Sequence, residues 1–169
     1  LTQPGFIARA HTNATVINNQ TEADSAHFQP AAGGIVGMNH YSAKVMNTSA
    51  TGVVYGNQTA GGIAGVQISG DIETSYFAGT VTGGTTGGVV GSADLLGLAE
   101  LRDYPTDNNA VIRNVYWDQA TAGTTDAVGK YPDTPDDNLV FAGSVAPLST
   151  GQLRGPTAAR SLTGFDFNT

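Results

Sequence analysis

The chain has 169 residues, a formal net charge of −7, 12 % charged residues and no cysteine. That length supports one domain with a real core, and the lack of cysteine excludes disulfides and thiolate chemistry. The acidic balance, with seven scattered basic residues, argues against a nucleic-acid partner, which needs clustered Lys and Arg. No apolar stretch approaches the length of a membrane span, so no membrane insertion is expected. No signal peptide is visible at Leu1, as expected of a mature or excised piece of something longer.

In chain order, GFIAR at Gly5 to Arg9 and VINNQT at Val16 to Thr21 read as a degenerate unit over residues 5–32. Three closer copies of one pentapeptide follow: Gly33, Gly34, Ile35, Val36 and Gly37, then Gly61, Gly62, Ile63, Ala64 and Gly65, then Gly87, Gly88, Val89, Val90 and Gly91. Their starts lie 28 and 26 residues apart and open units 33–60, 61–86 and 87–123. Val45, Ile72 and Ile112 begin matching segments rich in Val, Ile, Thr and Tyr, which fit a pleated surface. Gly52, Val54 and Gly56 align with Gly79, Val81 and Gly83. One such unit cannot bury its apolar face, but stacked copies can, with equivalent strands paired at about 4.8 Å. The expectation is an all-β single domain, a right-handed parallel β-helix of about four coils. In it Ile35, Ile63 and Val89 form one interior row, and the glycines mark bends that need positive φ or close backbone approach.

The third unit carries an insertion at 94–108. Its helix-like run from Asp94 to Arg102 is capped by Asp94, with Leu95, Leu98 and Leu101 on one side. After Gly123 the repeat fades, and residues 124–169 read as a C-terminal cap. Within it, Asp126 to Asp137 forms a loop, Leu139 to Val145 a strand and Ser149 to Arg154 a helical turn, and Phe165 and Phe167 pack back on the body. The N-terminal side shows no comparable cover, which leaves room for head-to-tail self-association.

The pentapeptides and the segments after them resemble GLUG-motif repeats. Arg113 to Asp118, Ala122–Gly123, Leu148 to Leu153 and Gly164 to Phe167 resemble the closing section that often follows such repeats. The resemblance covers roughly Gly33 to Phe167. It implies a surface-exposed or secreted β-solenoid of the kind found in bacterial adhesins, filamentous-haemagglutinin-like exoproteins and the stalks of IgA-cleaving metallopeptidases. Localisation at the cell surface or outside the cell, and an extracellular glycan or a host or neighbour-cell surface protein as partner, are the matching expectations.

The catalytic inventory is thin, and no enzymatic activity is expected. A glycoside hydrolase needs two carboxylates facing one groove. Asp71 and Glu73, at i and i+2 on one strand face, are the nearest pair, with Asp94, Glu100 and Asp103 on the insertion. The commoner reading is a charge ladder in which Lys44 meets Asp71 and Glu73 meets Arg113. His11, His27 and His40 fall in different units without metal-ligand spacing. No cofactor is expected, although Asp133, Asp136 and Asp137 could gather oxygen ligands for calcium. Tyr76 and Phe77 align with Tyr116 and Trp117. That column either seals the core or, with Tyr104, forms an aromatic ligand platform.

Overall fold

The computed structural model describes residues 5–21, 30–93, 110–131 and 139–167. They are mostly strand, with three short helices and no closed barrel. The strands are β1 (Phe6–Ala8), β2 (His11–Thr12), β3 (Thr15–Asn18), β4 (Ala31–Gly33), β5 (Val36–Asn39), β6 (Ala43–Met46), β7 (Ser49–Ala50), β8 (Val53–Gly61), β9 (Ala64–Gln67), β10 (Gly70–Phe77), β11 (Thr80–Gly87), β12 (Val90–Ser92), β13 (Ala110–Asp118), β14 (Val128–Lys130) and β15 (Leu139–Leu148). The helices are α1 (Gln119–Ala122), α2 (Thr150–Arg154) and α3 (Ala158–Ser161).

Three sheets form, and every pairing among the described residues is parallel. The first runs β1-β6-β10-β13-β15, with β2 and β7 extending the same layers; the second runs β11-β8-β3, with β4 also on β8; the third runs β14-β12-β9-β5. The chain visits them in rotation, passing over the second sheet after β13, and from β6 onward each strand lies on its equivalent from the preceding unit.

The register shows why these sequences stack. Ile7, Val45, Ile72, Ile112 and Phe141 form one row of the first sheet, and Val16, Val54 and Val81 form one row of the second. Each row is aliphatic over most of its length, and Val45, Ile72 and Ile112 are buried. Burying a side chain of this size contributes about 1.5–3 kcal/mol. Ile35, Ile63 and Val89 do lie in successive rungs. The N–H groups of Ile35 and Val36 both donate to Ile63 O, those of Ile63 and Ala64 to Val89 O, and those of Val89 and Val90 to Ala127 O. The same bend therefore satisfies two donors with one carbonyl in each unit. None of the nine pentapeptide glycines has positive φ; they are needed for close approach. A Cβ on Gly33, Gly61 or Gly87 would strike the carbonyl oxygen three residues ahead.

Positive φ gathers elsewhere. Arg9 (55°), Asn47 (53°), Thr74 (46°), Asn114 (51°) and Gly143 (63°) each follow one residue after the paired set Ala8, Met46, Glu73, Arg113 and Ala142. They form a column of left-handed bends that turns the first sheet at one level in every layer. The Asn114 amide oxygen accepts from Ser144 N at 3.1 Å, and a Cβ on Gly143 would collide with that amide.

Two sequence expectations are corrected. The N-terminal unit is not in the register expected: Val16 pairs with Val54, not Val45, and Phe6–Ala8 lies under Lys44–Met46, so GFIAR is not a copy of the pentapeptide. The longer chain between β3 and β4 shifted the count. Nor are residues 124–169 simply a cap, because β14 and β15 continue the parallel pairing on β12 and β13. In the second sheet alone stacking gives way after Asp118, whose carboxylate accepts from Ala120 N at 3.1 Å and from Thr150 Oγ1 at 2.6 Å. That cap starts α1, which packs against β11 in the place of a further strand. The helix α2 begins at a Ser149–Gln152 capping box. The insertion helix expected at Asp94 to Arg102, together with Glu100, Asp103 and Tyr104, lies outside the described residues.

Candidate functional site

The aromatic column occupies the expected register, Tyr76 on Tyr116 and Phe77 on Trp117. Strand alternation then separates the two rows. Phe77 (0 % exposed) and Trp117 (2 %) point inward, where Gly62 and Gly88 leave room for their rings. The Trp117 indole N–H donates to Thr124 O at 2.9 Å. Tyr76 and Tyr116 point outward but are covered by the C-terminal segment. Leu153, Leu162 and Phe165 pack there, the Tyr116 hydroxyl donates to Thr163 O at 3.0 Å, and an Arg154 N–H donates to Ala78 O at 2.8 Å. Phe77, Tyr116 and Trp117 therefore offer no face to a ligand from solvent, and this column does not form an exposed platform. Tyr104 lies outside the described residues.

The polar face of the first sheet holds the charge ladder. Lys44 Nζ lies 2.7 Å from Asp71 Oδ2, and Glu73 pairs in register with Arg113. The hydrogen bond to Asp71, with that carboxylate's charge, raises the Lys44 ammonium above its usual pKa. Asp71 is thus engaged by a lysine, and its partners in register, Lys44 and Val111, supply no second carboxylate opposite it. Asp94, Glu100 and Asp103 lie outside the described residues.

The histidines are dispersed. His11 Nδ1 contacts Ser49 Oγ at 2.7 Å, and His40 Nδ1 contacts Ser69 Oγ at 2.9 Å. Burial lowers the His40 pKa, and among the described residues its Nε2 is the buried side-chain polar atom left without a partner. No cluster of three His, Cys, Asp or Glu suited to a metal occurs among the described residues. His27, Asp133, Asp136 and Asp137 lie outside them. No described helix is long and apolar enough to cross a membrane.

One surface was not singled out by sequence reasoning. On the outer side of the second sheet, Thr15, Val53 and Thr80 form one row, and Ile17, Tyr55 and Thr82 the next. Between them the valines of β3, β8 and β11 face inward. Ile17 is 59 % and Val53 42 % exposed. The signal was available in the alternation of Thr80, Val81 and Thr82 once the register was known. The chain matches no protein-family model, no curated protein and no solved structure.

Proposed function

We propose that the chain is a right-handed parallel β-helix serving, without catalysis, as a rigid scaffold or binding segment of a secreted bacterial surface protein of the adhesin type. The supporting observation is the rotation of the chain through three parallel sheets, with aliphatic residues stacked in the inner rows Ile7–Val45–Ile72–Ile112 and Val16–Val54–Val81. Parallel strand crossovers are almost always right-handed, which supports the hand. The surface setting rests on the likeness to GLUG-motif repeats and on a cysteine-free, Gly-rich composition.

The fibre-forming alternative is less favoured. Pro147 lies in the edge strand β15 and removes a donor from its free side, and α1 replaces the next strand over β11. The polysaccharide-cleaving alternative requires Asp71 and Glu73 to act. The test incubates the purified chain, and its Asp71→Asn/Glu73→Gln variant, with a panel of acidic and neutral polysaccharides. Unchanged polymer length with both proteins is expected. Depolymerisation that disappears in the variant overturns the reading.

A further inference from the structure

We infer that the outer face of the second sheet is a docking surface for an uncharged polysaccharide chain. The inference rests on the scaffold reading and names the ligand class that the scaffold presents. Thr15, Val53 and Thr80 alternate hydroxyl, methyl and hydroxyl along the stacking direction, and Ile17, Tyr55 and Thr82 run beside them. Rows of this kind repeat at about 4.8 Å from strand to strand.

Three observations select the partner. None of the six side chains carries a formal charge at neutral pH, although the chain as a whole carries −7 and the outer face of the first sheet holds Lys44, Asp71, Glu73 and Arg113. The described strands of the second sheet carry no charged side chain, so an uncharged ligand is matched. Two large apolar side chains, Ile17 and Val53, stand exposed there, with the hydroxyls of Thr15, Thr80 and Thr82 around them. The face is also one layer of short side chains on a sheet. Protein partners draw their affinity from aromatic and Arg anchors seated in pockets, and among the described residues this strand layer carries no Arg and one aromatic, Tyr55. A sugar ring brings a flat C–H face with hydroxyls at its edge. It can therefore lie on Ile17, Val53 and the Tyr55 ring while exchanging hydrogen bonds with Thr15, Thr80 and Thr82. The Tyr55 hydroxyl donates to Asn57 Oδ1 at 3.4 Å, two residues along the same strand.

The test is affinity electrophoresis of the purified chain through gels containing a soluble β-linked glucan, a mannan or a dextran, with polygalacturonate as the charged control. Retardation by at least one neutral polymer, little changed by salt, is expected. Ile17→Glu/Thr82→Glu should weaken it about tenfold, while Lys44→Gln/Arg113→Gln on the first sheet should leave it unchanged. Circular dichroism melting of each variant confirms that the fold is retained, and Thr80→Glu replaces the double variant if that one fails to fold. Folded protein that no neutral polymer retards, retardation by polygalacturonate alone, or loss of binding through the first-sheet variant each overturns the inference and leaves the scaffold reading standing. Shortening of the polymer would instead overturn the scaffold reading.

Discussion

Gly88 and Trp117 offer the sharpest test of how the repeat glycines work. If a Cβ is added at Gly88, its three nearest heavy atoms all belong to the Trp117 indole, closer than any real contact. Trp117 is buried, and its N–H is committed to Thr124 O. The ring can therefore yield only by leaving its position, which adds the loss of one hydrogen bond, about 1 kcal/mol, to an overpacking cost of about 1–3 kcal/mol. Gly88→Ala should thus destabilise by about 3 kcal/mol. Trp117→Ala alone should cost about 3–5 kcal/mol through the cavity it leaves. Once the ring is gone, however, the three atoms that a methyl at position 88 meets first are gone with it. The double variant should therefore be more stable than the sum of the single effects by about 2 kcal/mol. Urea unfolding followed by far-ultraviolet circular dichroism measures all four corners of the cycle without relying on tryptophan fluorescence. Additivity to within about 0.5 kcal/mol would refute the claim that Gly88 is glycine because of Trp117.

Three further outcomes follow from the same geometry. Thr74 is a β-branched residue at φ 46° between Asn47 and Asn114, so Thr74→Asn should stabilise by about 1 kcal/mol, read as a higher urea midpoint; a loss of stability would count against the left-handed column. Burial lowers the folded-state pKa of His40 below 6.5. Its contribution is therefore complete above that value and is lost as pH falls through the folded pKa, because only the unfolded chain takes up the proton there. His40→Gln should flatten that part of the stability–pH curve, and an unchanged slope would contradict the assignment. Lys44→Gln should shift stability by less than about 1 kcal/mol in thermal melts, since Lys44 is half exposed and exposed ion pairs contribute little; a larger loss would give the ladder a structural weight that its exposure does not support.

Much of the stacking was legible because Val45, Ile72 and Ile112, and the glycines around Ile35, Ile63 and Val89, repeat the same residue types at the same offsets. The first unit was not legible. Ile7 and Val16 each resemble Val45 locally, and only strand pairing decides that Ile7 is its partner. The left-handed column was hidden for a different reason. Arg9, Asn47, Thr74, Asn114 and Gly143 share a backbone conformation but no side-chain chemistry, and only the two asparagines and the glycine favour it intrinsically. For the aromatic column the register was readable but the direction was not. The left-handed residues Thr74 and Asn114 fall between Ile72 and Phe77 and between Ile112 and Trp117, all four buried, so simple alternation does not carry across, and Gly62 and Gly88 leave the space that the two rings fill. The neutral face of the second sheet escaped notice because Thr15, Val53 and Tyr55 look ordinary singly and become a surface only when three units lie side by side.

In-register stacking of successive units underlies all of this, and paired cysteines test it directly. The chain has no cysteine of its own, and Val53 and Thr80 are exposed Cα partners on neighbouring strands. Val53→Cys/Thr80→Cys should oxidise to an intrachain disulfide, since neighbouring strands lie about 4.8 Å apart and disulfides bridge Cα separations of about 4.4–6.8 Å. Val53→Cys/Thr82→Cys, two residues out of register, should remain reduced under the same conditions. Cross-linking of the second pair in preference to the first would contradict the account.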